Sequence, residues 1–347
     1  MQRKFILLMI VVCLAFCLCY PTQFTQSASY GLRLWYQALL PVLLPFLILT
    51  ALLRGMGYTQ KLDALLSPIT TRFFRLPPAY GSVLFFGLLS GLPVSAVLLQ
   101  ALPEKEKQQG LLYPLLLSTH MSPGFLTGYL AAYVLGKPSA SPLLFLTIYG
   151  GNLLAAWLFL RPKQAPETPT APETRKPSSA RRFPMPAPDS DKTAAVSAPD
   201  AHAAAASAPR SLSALFQSAT QTALNGIFTV GVSVMLFSVL AGFCSLVLPP
   251  AFRLLGIPSK SAPLLTALIS GLCEVTGGCS LLVTQDVAFV PRAVLVVFFA
   301  SFGGLSGIFQ TKSVLKSPFP LWKYIGIKIS TALLSAGAML IFLSQTL

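Results

Sequence analysis

The sequence predicts an all-α polytopic membrane protein, an inverted repeat with two re-entrant helical hairpins and two broken transmembrane helices. Three observations lead there. Of its 347 residues 54% are hydrophobic and only 10% charged, with a mean hydropathy of +0.69, whereas a soluble domain carries about 25% charged residues. Apolar stretches of about 18 residues or more recur along the chain, which is the mark of bilayer spans. Interrupted apolar motifs also appear in the same order in both halves.

This composition excludes an ordinary soluble enzyme, a disordered chain and a soluble nucleic-acid binder. The net charge of +15 fits cytoplasmic loops, where Lys and Arg collect in membrane proteins. All six cysteines lie in apolar stretches, without the spacing of a disulfide framework or a zinc site. Cys17-Leu18-Cys19 has no His or acid nearby. No Ser–His–Asp set, paired carboxylates, Walker loop or metal cluster is visible, so neither an enzyme nor a resident cofactor is expected; a coupling ion, Na+ or H+, is left open.

The elements follow in order. Residues 1–33 are read as an uncleaved first span, from Phe5 to Cys19 behind Arg3 and Lys4, and a loop; no small-residue cleavage site follows, as a signal peptide would require. The first repeat, 34–160, opens with a span over Leu34–Leu53 whose Pro41 and Pro45 free backbone carbonyls and so call for helical neighbours. Residues 54–78 are basic and amphipathic, suited to the interface. Residues 79–102 break at Ser90-Gly91-Leu92-Pro93, and 111–135 break at Ser118–Gly124. An unbroken span covers 142–160. Residues 161–210 hold ten of the 29 prolines and half the acids. That composition predicts a disordered cytoplasmic linker. The second repeat, 211–347, has a polar-faced helix over 211–225, a span over 226–248, and a loop at Pro249-Pro250. Next come 263–285, broken at Ser270-Gly271 and at Thr276-Gly277-Gly278, then 293–311, broken at Gly303-Gly304, and a last span over 321–343.

The repeat pairs Gly91 with Gly271, Ser118 with Ser301, and Lys137-Pro138 with Lys316-Ser317-Pro318. If each Ser-Gly stretch is a hairpin that leaves on the side it enters, three spans separate the two hairpins. An odd number of crossings puts them on opposite faces, the plan of many secondary carriers with a midplane site. With the N-terminus inside, only Arg33, Lys137, Arg253, Lys260 and Arg292 of the 25 Lys and Arg residues fall outside; Lys328 is counted inside as a snorkelling side chain.

Broken membrane helices expose N–H groups that attract anions and carbonyls that attract cations. Four paired breaks predict one shared solute site. Its expected residues are Ser90, Gly91 and Pro93 of the first hairpin and Thr119, His120 and Ser122 of the first broken helix. The second half adds Ser270, Gly271, Glu274 and Thr276, with Gly303, Gly304, Ser306 and Gln310 at the last break. Glu274 is the one acid in an apolar stretch; it could hold a cation, carry a proton, bond solute or brace the broken backbone. His120 could donate to an anion, relay a proton or pack as a bonded polar residue.

These motifs resemble those of the sporulation integral membrane protein YlbJ group, within the nucleoside-recognition Gate domain superfamily. The resemblance covers roughly 35–160 and 211–340. It rests on LPVLLPFLIL, Ser90-Gly91-Leu92-Pro93, STHMSPGF, ISGLCEVTGG and FGGLS with Gln310 beyond it. It implies a fold similar to concentrative nucleoside transporters. It further implies a role in endospore formation, passage of dipicolinic acid, and residence in the mother-cell-derived outer forespore membrane. Thr119-His120 stands where such proteins often carry Asn-Asn, and the long linker is not part of the group's pattern. The expected partners are a small solute and the lipid bilayer, with no nucleic acid and with self-association left open. A nucleoside carrier and a non-transporting assembly factor are the alternatives.

Overall fold

The computed structural model describes residues 2–92, 94–107, 110–161, 211–285, 287–315 and 317–346. The linker beyond Arg161 and Pro93 of the first hairpin lie outside the described residues. Every regular element among them is helical: α1 (Gln2–Cys19), α2 (Pro21–Leu34), α3 (Leu40–Gly55), α4 (Tyr58–Pro68), α5 (Gly81–Ser90), α6 (Val94–Gln100), α7 (Glu104–Lys107), α8 (Leu112–Ser118), α9 (Ser141–Leu160), α10 (Leu212–Leu254), α11 (Ala262–Cys273), α12 (Val275–Thr284), α13 (Phe289–Phe302), α14 (Gly304–Val314) and α15 (Leu321–Thr346). Wider π-helical turns occupy Trp35–Leu39, Ile69–Phe73 and Phe125–Val134. Four stretches are long and apolar enough to cross a membrane, Pro138–Leu160, Leu212–Leu254, Phe289–Val314 and Leu321–Gln345. The bent pair α1–α2, turned by 119°, makes a fifth if taken as one span.

The loop expected before Arg33 is instead helix α2. Pro21 stands in its first turn, where a missing N–H costs nothing. The helix is held by close packing on α10: a Cβ on Gly31 would sit 2.9 Å from Met235 Cα, and Gly242 admits Ser27. α3 buries Leu43 and Leu47 and exposes Pro41 and Pro45, so the prolines lie outside the core rather than within it. The π-helical turn just before Pro41 takes up the missing backbone bond. The loop expected at Pro249-Pro250 is also absent. α10 runs through both prolines to Leu254 as one 43-residue helix, with Ser211 Oγ accepting from the Ala214 N–H at its start.

Residues 263–285 break once where two interruptions were expected. α11 passes through Ser270-Gly271 and α12 through Thr276-Gly277-Gly278; only Glu274 between them is non-helical, with φ −149° and ψ 123°. Those glycines permit packing. Gly278 lies directly against the Gly271 backbone, and Gly271 faces the Phe299 ring. Residues seven apart in one helix would be about 10 Å apart, so α11 and α12 fold back on each other. α5 and α6 do the same: a Cβ on Gly87 would lie 3.2 Å from Ser95 Cβ. The chain therefore turns at Gly91 in the first half and at Glu274, rather than at Gly271, in the second.

α9, with 20 residues, spans about 30 Å and separates two ends of the bundle. At its C-terminal end Arg161 donates to the Phe73 carbonyl at 3.1 Å. Beyond that segment the Tyr80 hydroxyl donates to the Glu106 carbonyl at 2.9 Å, joining the start of α5 to α7, which follows α6. The Ser317 N–H donates to Gln100 Oε1 at 3.2 Å, tying the loop after α14 to the same region. At the N-terminal end of α9, the Lys137 ammonium lies 4.0 Å over the Phe289 ring. Two apolar clusters fill the interior, and each draws on both halves of the chain. The halves thus share cores.

Candidate functional site

Each break is held by a neighbour from another element. Gly91, at φ +68°, turns the chain after α5, and the next N–H, of Leu92, donates to the His120 carbonyl at 2.9 Å. This seats the first hairpin tip on the first helix break. Tyr149 from α9 fixes the same place, its hydroxyl donating to the Met121 carbonyl at 2.9 Å.

The second tip is built by its own carboxylate. Glu274 accepts from the Thr276 N–H at 3.0 Å, the Gly277 N–H at 2.6 Å and the Thr276 hydroxyl. It therefore caps α12, and three donors offset its burial. At the last break Gly303 and Gly304 both take positive φ, +85° and +66°. A Cβ on Gly304 would lie 3.3 Å from the Cys273 oxygen and 3.5 Å from Glu274 Cα, so the second tip rests on the second break. Cross-contacts complete the set. Leu92 reaches within 3.2 Å of the Cβ position of Gly307, and the Tyr129 hydroxyl donates to the Thr276 carbonyl at 2.9 Å.

Between these four points lies a cavity of about 320 Å³, a volume suited to a small ligand. Seven expected residues line it: Ser90, Ser122, Glu274, Thr276, Gly303, Ser306 and Gln310. Apolar walls come from Leu34, Leu39, Leu43, Val230 and Val234, and aromatic ones from Phe125 and Tyr129. Ser90 Oγ is buried without a hydrogen-bond partner. Gln310 Nε2 donates to Ser306 Oγ at 3.0 Å.

The other expected residues serve elsewhere. Gly91 and Gly304 shape the breaks. The Thr119 hydroxyl donates to the Leu115 carbonyl at 2.6 Å and lies 2.9 Å from the Tyr324 hydroxyl. His120 packs on Tyr149, ring centroids 4.1 Å apart. Gly271 packs helices. Ser270 faces a second cavity of about 250 Å³, which also holds Gln26, Ser27, Tyr30, Ser238, Ser245 and Glu274.

Sequence reasoning missed Tyr129, Tyr149 and the polar faces of α2 and α10, whose residues look ordinary in their own segments. It misplaced Lys328. This side chain is 1% exposed and donates to the Thr119 carbonyl at 3.1 Å rather than snorkelling to a surface. Its position inside the last apolar run was the available signal. Among the described residues no group of three or more His, Cys, Asp or Glu side chains could hold a metal ion.

The all-helical fold, with four or five stretches long and apolar enough to cross a bilayer among the described residues, is that of an integral membrane protein. The chain is 28% identical over 308 residues to the sporulation integral membrane protein YlbJ of Bacillus subtilis (strain 168), covering 85% of this chain and 71% of that one. This similarity supports the YlbJ-group resemblance carried by the motifs. No family model matches the chain, and no solved structure matches it.

Proposed function

We propose that this chain is a secondary carrier for a small, polar, anionic solute, acting in spore formation, with dipicolinic acid as the first candidate. The observation that carries the reading is the meeting of four helix breaks on one cavity. In secondary carriers such breaks form the solute site. The inverted repeat is supported by the two bundle ends. The start of the first hairpin meets α7, which follows it, at Tyr80 and Glu106, while the second hairpin exits toward Phe289, beside Lys137.

Anion preference is supported by a contrast between two helix starts. The N-terminus of α12 is filled by Glu274, whereas that of α14 at Gly303 has no side-chain cap and opens on the cavity through Ser306 and Gly307. Uncapped N–H groups there suit a carboxylate. Phe125 and Tyr129 offer faces to a planar ring. Similarity to the Bacillus sporulation integral membrane protein supports a sporulation role in a membrane, and the motif resemblance alone suggests the outer forespore membrane.

A nucleoside is the second reading, favoured by Glu274 on the cavity wall, since a carboxylate there repels a dianion and accepts hydrogen bonds from a ribose or base. Vesicles containing the purified protein should take up labelled dipicolinate above empty vesicles. Uptake of nucleosides instead would favour the second reading. Uptake of neither, by folded protein, would favour a non-transporting assembly factor.

A further inference from the structure

Lys328 carries a buried amine that does not line the cavity. It lies on α15, and its amine reaches the carbonyl of Thr119 at the C-terminal end of α8, at 3.1 Å. Its Cε lies 3.9 Å from the Cβ position of Gly303, at the break that follows α13. One side chain thus touches both helix breaks. The titratable groups around it are His120 on the break, Tyr149 packed at a tilt on His120 from α9, and Tyr324 one turn earlier on α15, whose hydroxyl meets Thr119. The ion pair found among the described residues, Lys107 with Glu104, is elsewhere. Among the described residues no carboxylate pairs with Lys328.

A buried charge without a counter-ion is costly. What offsets it here is the Thr119 carbonyl, turned out of the helical direction where the backbone leaves α8 (φ −99°, ψ 81°) and accepting from the amine. Carbonyl ends of broken membrane helices are places where carriers hold free alkali cations. We infer that the end of α8, beside the Gly303 break, is a monovalent-cation site whose occupant is the protein's own Lys328 ammonium. A free Na+ or K+ is not needed there while the lysine stands. The inference goes beyond the carrier reading and is read by protein stability, so either can fail without the other.

The test compares wild type, Lys328→Ala and Lys328→Met. Thermal unfolding of purified protein is followed at constant ionic strength in a salt of bulky N-methylglucamine, and then in Na+, K+ or methylammonium. Alanine leaves room and an unpaired carbonyl; methionine fills the room without charge. The expected result is a saturable rise in midpoint of about 3 °C or more for Lys328→Ala with at least one small cation. No such rise is expected for wild type or Lys328→Met. Three results overturn the inference: no cation response in Lys328→Ala, the same response in all three proteins, or failure of Lys328→Ala to accumulate in cells, where K+ is abundant. The methionine variant keeps the test specific, because a lysine that merely filled space would be best replaced by it and would give no cation response in either variant.

Discussion

The Leu92 N–H donates to the carbonyl of His120 at 2.9 Å, so the tip of one hairpin is stitched to the unwound backbone of another helix. The stitch requires Gly91 beside it. Gly91 has φ +68°, and a Cβ there would overlap the His120 oxygen and lie 2.8 Å from the Ser122 nitrogen. Gly91→Ala should therefore cost about 3 kcal/mol or more. Thermal unfolding and membrane abundance should both fall, while Gly124→Ala, with open space around it, should leave both near wild type.

Glu274 should separate capping from solute contact. Glu274→Ala leaves three donors unmet and should destabilise the protein by about 2–3 kcal/mol. Glu274→Asp keeps a favoured capping residue but draws the carboxylate back from the wall. Unfolding midpoints should show the alanine variant clearly weaker than the aspartate variant, with solute uptake reduced in both.

Asp63 caps the first hairpin from outside it: its Oδ1 accepts from the Ser82 N–H at 2.6 Å, at the start of α5. Asp63→Ala should lower stability by about 1 kcal/mol, and Asp63→Asn by less, because the amide oxygen can still accept. Chemical denaturation of the purified protein measures both.

Single cysteines report orientation. Lys105→Cys and Lys312→Cys should react with an impermeant thiol reagent from the cytoplasmic face only, and Lys137→Cys and Lys260→Cys from the opposite face only. Labelling of Lys105→Cys and Lys260→Cys from the same face would overturn the inverted arrangement.

Much of this architecture could be read from residues because glycine, proline and buried acid leave local marks. Gly91, Gly303 and Glu274 stood out where an apolar run stopped being regular, and they are the turning points. Ser270 and Gly271 carried the same mark for another reason: a small residue can either end a helix or let another backbone approach, and only the neighbour decides. Gly278 and Phe299 are that neighbour: the first lies in the same stretch but comes close only because the chain turns at Glu274, and the second is remote in sequence. His120, left open between a solute role and packing, and Lys328, expected to snorkel, differ again. Their chemistry was visible, but which way each pointed depended on Tyr149 and on the carbonyl of Thr119. The prolines of α10 misled because a helix packed along much of its length tolerates the loss of a few backbone bonds.

The length of α10 has a consequence for the membrane surface. Its 43 residues extend about 65 Å, about twice the hydrocarbon thickness of about 30 Å. Roughly half of it must therefore stand among headgroups and in water. Leu215, near its start, lies 3.0 Å from the Cβ position of Gly55, so α3 rises to the same height beside it. The first turns of α10 and the end of α3, in contact at Leu215 and Gly55, therefore meet at one edge of the hydrocarbon.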